Sequence, residues 1–149
     1  MSLYIESHGQ GENLVLLHGW GMHGAIWQQL LPYLTPHFRV HLVDLPGHGL
    51  SPFSAQSLAG CVQLIRSLLP AAPLHLVGWS LGGLLAQQWC VLYPEQVQRL
   101  VLLGSSPCFM QREDWQPAMS PAVLAHFAET LQENYAATLN QFVTLQTLG

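Results

Sequence analysis

The sequence contains no lysine, and four arginines supply its fixed positive charge. Charged residues make up only 8% of its 149 positions, against about 25% in an average soluble domain. With a formal net charge of -4, the chain has no basic stripe from which to build a nucleic-acid interface, which argues against DNA or RNA as a partner. Cys61, Cys90 and Cys108 are odd in number and widely spaced. They fit neither a disulfide framework nor a zinc-ligand pattern, so no metal is expected. No stretch approaches the roughly 18 apolar residues of a membrane span. Met1-Ser2-Leu3-Tyr4 lacks the basic and apolar regions of a secretory signal. The expectation is a cytoplasmic protein with reduced thiols. Scarce charge implies either an unusually apolar surface or surfaces that meet further sequence.

What is present is apolar and ordered. Half of the residues are hydrophobic, and a chain of this length buries about 70% of its unfolded surface. Leu3 to Ile5 predicts a short edge strand, with a turn at Gly9-Gln10-Gly11. Asn13 to His18 is a nearly continuous apolar run, the pattern of a parallel strand covered on both faces. Ala25 to Leu34 reads as a helix, Val40 to Asp44 as a strand, and Leu58 to Leu69 as a helix closed by Pro70. Leu74 to Val77 is a strand, Leu81 to Tyr93 a helix stopped by Pro94, and Val97 to Leu103 another strand. This alternation predicts a doubly wound α/β sheet. The rhythm then changes. Ser120 can cap a helix with Pro121 at its first position, and helical patterns follow from Val123 to Leu131 and from Tyr135 to Leu145. Two helices without an intervening strand suggest part of a lid.

Gly78-Trp79-Ser80-Leu81-Gly82 lies between a strand and a helix. This is the G-x-S-x-G pattern in the setting that makes it a nucleophile elbow. A serine hydroxyl becomes a useful nucleophile when a sharp turn presents it and a base takes its proton. The Leu81 backbone N–H at the helix start, and a second N–H at Trp20 after His18-Gly19, are the expected oxyanion donors. Trp20 and Leu81 side chains are then free to line a substrate channel. His18 and His48 are expected to brace their loops. After Ser80 only Asp114 and His126 occur as an Asp–His pair in the order acid, then histidine. Neither follows a sheet strand, where a rigid triad member is expected. Asp44 ends a strand but precedes the serine.

Five segments together carry a resemblance: His18-Gly19-Trp20-Gly21, Asp44-Leu45-Pro46-Gly47-His48-Gly49, Gly78-Trp79-Ser80-Leu81-Gly82-Gly83, Ser105-Ser106-Pro107-Cys108-Phe109 and Leu145-Gln146-Thr147-Leu148-Gly149. The chain resembles the pimeloyl-acyl-carrier-protein methyl ester esterases of biotin synthesis, a family of α/β hydrolases. It corresponds to about the first three-fifths of such an enzyme. The first three segments are shared across α/β hydrolases; the full elbow and the last two make the likeness specific.

The resemblance implies an α/β-hydrolase fold: the N-terminal portion of a mostly parallel doubly wound sheet at 1–106, and the start of a helical lid at 107–149. It implies a cytoplasmic serine carboxylesterase, monomeric at full length and without cofactor, whose partner is an acyl-carrier protein bearing a pimeloyl methyl ester. Ser80 matches the nucleophile, and Trp20 and Leu81 match the oxyanion and ester-binding positions. Phe142, Val143, Thr144, Leu145 and Gln146 match the lid segment walling the acyl channel. The triad acid and histidine are expected beyond Gly149. The family's lid carries basic residues that meet the acidic carrier, yet Asn134 to Gln146 has none. Two alternatives stay open: a broad short-chain carboxylesterase or thioesterase of the same fold, and a truncated, non-catalytic fragment.

Overall fold

A computed structural model describes residues 2–54 and 56–147; Leu148 and Gly149 of the terminal motif lie outside the described residues. The chain divides into two compact units, residues 1–106 and 107–149.

The first unit is built on a five-stranded sheet: β1 (Ile5–His8), β2 (Glu12–Leu17), β3 (Phe38–Val43), β4 (Leu74–Trp79) and β5 (Val97–Leu103). Their spatial order is β1-β3-β2-β4-β5. β1 runs antiparallel to β3, and every other pairing is parallel. Successive strands therefore leave β2 in opposite directions, to β3 on one side and β4 on the other. The carboxyl ends of β2 and β4 form the switch point where such sheets open a crevice for ligands.

Apolar runs with period two bury both faces of the central strands. Val15, Leu17, Leu74 and Leu76 point toward Val62, Ile65, Leu85 and Trp89 from α2 (Leu58–Ser67) and α3 (Leu81–Leu92). Leu14, Leu16, Val40 and Leu42 pack with Trp27 on the opposite face. Ser57 caps α2, its hydroxyl accepting from the Gly60 N–H at 3.1 Å. Trp89 is fully buried, and its Nε1 donates to Gln96 Oε1 at 3.0 Å. Arg66 Nε donates to the same oxygen at 2.9 Å, so Gln96 ties α2 to α3.

The expected edge strand at Leu3–Ile5 is displaced to Ile5–His8. The continuous helix expected over Ala25–Leu34 is also corrected. Gly24–Leu30 is a 3-10 helix, followed by a four-residue α1 (Leu31–Leu34) with Pro32 in its first turn. The cause is Pro32. It has no N–H for the carbonyl of Gln28, and its ring would strike that carbonyl in a continuous α-helix. A proline fits the first turn, so the α-helix starts afresh there.

In the second unit, α4 (Pro121–Glu133) begins at Ser120, whose hydroxyl accepts from the Val123 N–H at 3.3 Å. α5 (Tyr135–Thr147) follows at once. The buried Thr138 hydroxyl donates to the carbonyls of Thr130 at 3.1 Å and Asn134 at 2.8 Å, closing the helical hairpin. Among the described residues, no helix is long and apolar enough to cross a membrane.

Candidate active site

Ser80 is the one non-glycine residue with positive φ among the described residues, at φ 52° and ψ -114°. An L-residue is held there only when its surroundings enforce the conformation, at a cost of about 1–3 kcal/mol. The surroundings are glycine. A Cβ on Gly78 would lie 2.4 Å from the Gly82 carbonyl oxygen, and one on Gly82 would lie 2.2 Å from that of Leu17. A Cβ on Gly83 would meet that of Ser105 at 2.4 Å. Absent side chains let α3 start directly against β2 and β4. The turn that ends β4 leaves Ser80 half-buried.

Hydrogen bonds hold the turn from β5. The Ser80 N–H donates to the Leu103 carbonyl at 2.9 Å, and the Ser105 hydroxyl donates to the Ser80 carbonyl at 2.8 Å. Gln87 Nε2 joins the Gly83 carbonyl at 3.2 Å to that of Ser106 at 3.3 Å. Sequence reasoning missed Ser105 and Gln87. The available signal was Gly104-Ser105-Ser106 leaving the strand beside the elbow strand. Leu81 occupies the first position of α3, where a helix N–H has no carbonyl of its own turn to reach.

Trp20 belongs to the loop that leaves β2. Gly82 contacts the backbone of Leu17 and His18, and Gly19 faces the ring of Trp79 with space for a Cβ only at 3.0 Å. The β2 loop and the elbow are thus in direct contact. Beneath that loop, fully buried His18 donates from Nδ1 to the Gly19 carbonyl at 2.7 Å. Its Nε2 accepts the Leu45 N–H at 3.0 Å. Burial pushes the His18 pKa down to about 4, so the ring is neutral at pH 7, with both nitrogens engaged by backbone. It is not available as a base for Ser80. His48 stands edge-on to it at 5.2 Å and donates from Nδ1 to the Pro46 carbonyl at 3.0 Å.

Asp44 is a loop clamp. Its carboxylate accepts the N–H of Gly24 at 2.6 Å and of Leu50 at 2.9 Å, while its own carbonyl accepts the Ser51 hydroxyl at 2.6 Å. Asp114 pairs with Arg112 at 3.3 Å, and His126 is exposed on α4. Within the first unit, no histidine–acid pair hydrogen-bonds the Ser80 hydroxyl among the described residues.

Phe142, Val143, Thr144, Leu145 and Gln146 all lie on α5 in the second unit. The Phe142 ring packs 5.9 Å from that of Phe127, and the Thr144 hydroxyl donates to the Asn140 carbonyl at 2.8 Å. Leu145 is 60% exposed. Three or more histidine, cysteine or acidic side chains do not converge on a metal position among the described residues.

Known proteins place this architecture. The family model described as alpha/beta hydrolase fold matches residues 12–147. The chain belongs to the α/β hydrolases. This α/β hydrolase is 45% identical over 152 residues to a pimeloyl-acyl-carrier-protein methyl ester esterase of Aeromonas hydrophila, covering 100% of this chain and 59% of that protein. It is 48% identical over 149 residues to the esterase of the same name from Photobacterium profundum, covering 99% and 58%. The chain thus spans a little under three-fifths of the length of these curated relatives. Among solved structures it is similar to an esterase from Exiguobacterium antarcticum, with a TM-score of 0.84, 26% identity, and coverage of 94% and 55%. It is also similar to a bromoperoxidase from Bacillus anthracis, with a TM-score of 0.83, 26% identity, and coverage of 94% and 54%.

Proposed function

We propose that this chain carries the nucleophile and oxyanion loops of a serine carboxylesterase acting on the methyl ester of a pimeloyl-acyl-carrier protein. The observation that carries the proposal is the strained Ser80 at a strand–helix elbow, φ 52°, set among glycines with no room for a Cβ. The names and identities of the curated relatives supply the substrate class.

In this reading Ser80 Oγ attacks the ester carbonyl while the backbone N–H groups of Trp20 and Leu81 receive the oxyanion. Methanol leaves, and water then releases the free carboxylate and restores the serine. Residues 1–106 form the catalytic core. Residues 107–149 form the first part of a lid, with Phe142, Val143, Thr144, Leu145 and Gln146 along the acyl channel. His18 and Asp44 are engaged by backbone, so the general base and its acid come from sequence beyond the matched region, in the order acid, then histidine. The reaction needs no cofactor. The full-length protein is proposed to be cytoplasmic and monomeric, with the acyl-carrier protein as its partner.

A second reading is a broad short-chain carboxylesterase or thioesterase. It is favoured by the absence of any basic residue from Asn134 to Gln146, where an acidic carrier would otherwise find a counter-charge. A third reading, a non-catalytic fragment, is favoured by the absence of a histidine–acid pair on Ser80 among the described residues of the first unit.

The test compares kcat/KM of the full-length protein on a pimeloyl-carrier methyl ester and on a short acyl ester. The carrier-bound ester is expected to be preferred, and Ser80→Ala to lower turnover about 10⁴-fold or more. Equal kcat/KM on the two esters would select the second reading. No turnover by the 149-residue chain under conditions where the full-length protein turns over would select the third.

A further inference from the structure

Away from the elbow, a second hydroxyl–imidazole–amide relay crosses β1, β3 and β2. We infer that Ser7, His41 and Asn13 form a second acyl-acceptor site, able to take an acyl group from a small activated ester. The Ser7 hydroxyl lies 2.8 Å from His41 Nδ1, and His41 Nε2 lies 3.0 Å from Asn13 Oδ1.

The proton positions follow from the far end of the relay. Asn13 Nδ2 donates to the Pro73 carbonyl at 3.4 Å, which orients its Oδ1 toward the histidine. An amide oxygen accepts only, so His41 must carry its proton on Nε2. Its Nδ1 then presents a lone pair, and Ser7 donates to it. This is the order of roles in the serine and cysteine hydrolases: nucleophile, base, and a group that fixes the base's tautomer. Burial and the nearby Arg39 charge hold the imidazole below its ordinary pKa, so at pH 7 it is neutral and able to accept.

The relay is deep at one end and open at the other. His41 is buried, while Ser7 is exposed and lines a hollow of about 450 Å³ with Gly9, Gln10, Gly11 and Arg39. Arg39 gives that hollow a positive charge where an ester oxygen would become negative. In the reaction, Ser7 Oγ bonds to the carbonyl carbon as its proton passes to His41 Nδ1. The bond to the leaving alkoxide or phenolate breaks, and that group departs with the electron pair. The proton on His41 is then released to water.

The test uses the Ser80→Ala chain with 4-nitrophenyl acetate at pH 7, read by peptide mass mapping. Acetylation of Ser7 is expected roughly 100-fold faster than that of the exposed Ser2 and Ser67, the range a positioned base supplies. Asn13→Ala is expected to slow Ser7 labelling about tenfold or more, and Asn13→Asp to restore it, because either oxygen fixes the same tautomer. Ser7 reacting no faster than Ser2 and Ser67 would overturn the inference without any relay variant. Unchanged labelling in a folded Asn13→Ala chain would do so as well. The result is independent of whether Ser80 is the esterase nucleophile, since Ser80 is absent throughout.

Discussion

The Ser105 hydroxyl donates to the Ser80 carbonyl at 2.8 Å, so the exit of β5 holds the turn that follows β4. The Ser80 N–H reaches back to the Leu103 carbonyl at 2.9 Å, and both sides of the strained peptide are therefore fixed from one neighbouring strand. A residue in this backbone region relaxes unless several contacts oppose it. Here the contacts are the two β5 bonds and the Gly83 and Leu84 N–H groups, which donate to the same carbonyl at 2.9 and 3.1 Å.

Ser105→Ala should lower stability by about 1 kcal/mol, the net worth of one hydrogen bond. The Ser80 carbonyl keeps two donors, so the elbow persists with less restraint. Urea unfolding should show the loss, and a serine-directed phosphonate should label Ser80 more slowly. A faster label would mean that Ser105 restrains the hydroxyl from its reactive orientation.

Glycine replacements should separate by neighbour. Gly82→Ala places a Cβ 2.2 Å from the Leu17 carbonyl oxygen, backbone that cannot swing aside, and should cost about 3 kcal/mol or more. Gly60→Ala in α2 meets the far end of Gln56 at 2.5 Å, a side chain free to turn away, and otherwise touches the Ser57 hydroxyl and Gln56 Cβ at 3.4 and 3.5 Å. It should stabilise by about 0.5–1 kcal/mol, since alanine has less entropy to lose in a helix. Paired urea midpoints test both signs, and a destabilising Gly60→Ala would show that Gln56 is held in place.

These two glycines mark the limit of what the sequence discloses. β2, β3 and β4 were legible because their long apolar runs are buried on both faces, and Ser120-Pro121 announced α4 by its cap chemistry. Ser80 was legible because its neighbours must be glycine. Pro32 was visible too, but its effect depends on which helix turn it enters, and periodicity favoured one continuous helix. Asn13, His41 and Ser7 lie on three strands whose register the sequence does not reveal. Ser105 and Gln87 likewise become partners of the elbow only once β5 is laid beside β4.

His18 makes stability depend on pH. Burial holds its folded pKa at about 4, whereas in the unfolded chain it titrates near about 6.5. Between those values the unfolded state binds a proton that the native state refuses, so stability falls as pH drops through this window. The difference corresponds to on the order of 3 kcal/mol. His41 is shifted in the same direction by burial and Arg39 and adds to the decline. Urea midpoints should fall from about pH 6.5 to pH 4, and His18→Gln should flatten part of the slope. An unaltered slope in that variant would assign the titration to another group.

β5 should govern the solution behaviour of the 149-residue chain. Leu100, Val101, Leu102 and Leu103 are 36–48% exposed. β5 pairs with β4 on one side, and its other edge has no strand partner among the described residues. A long apolar edge with unpaired N–H and C=O groups is a template for another chain, and soluble proteins commonly block such edges with charge. Arg99 is the one charge on this strand and stands near its start. The chain should therefore self-associate in size-exclusion chromatography. Val101→Lys should shift it toward monomer, because pairing a second strand there would desolvate an ammonium group. A wild-type monomer with slow amide exchange from Val97 to Leu103 would show that the edge is already protected.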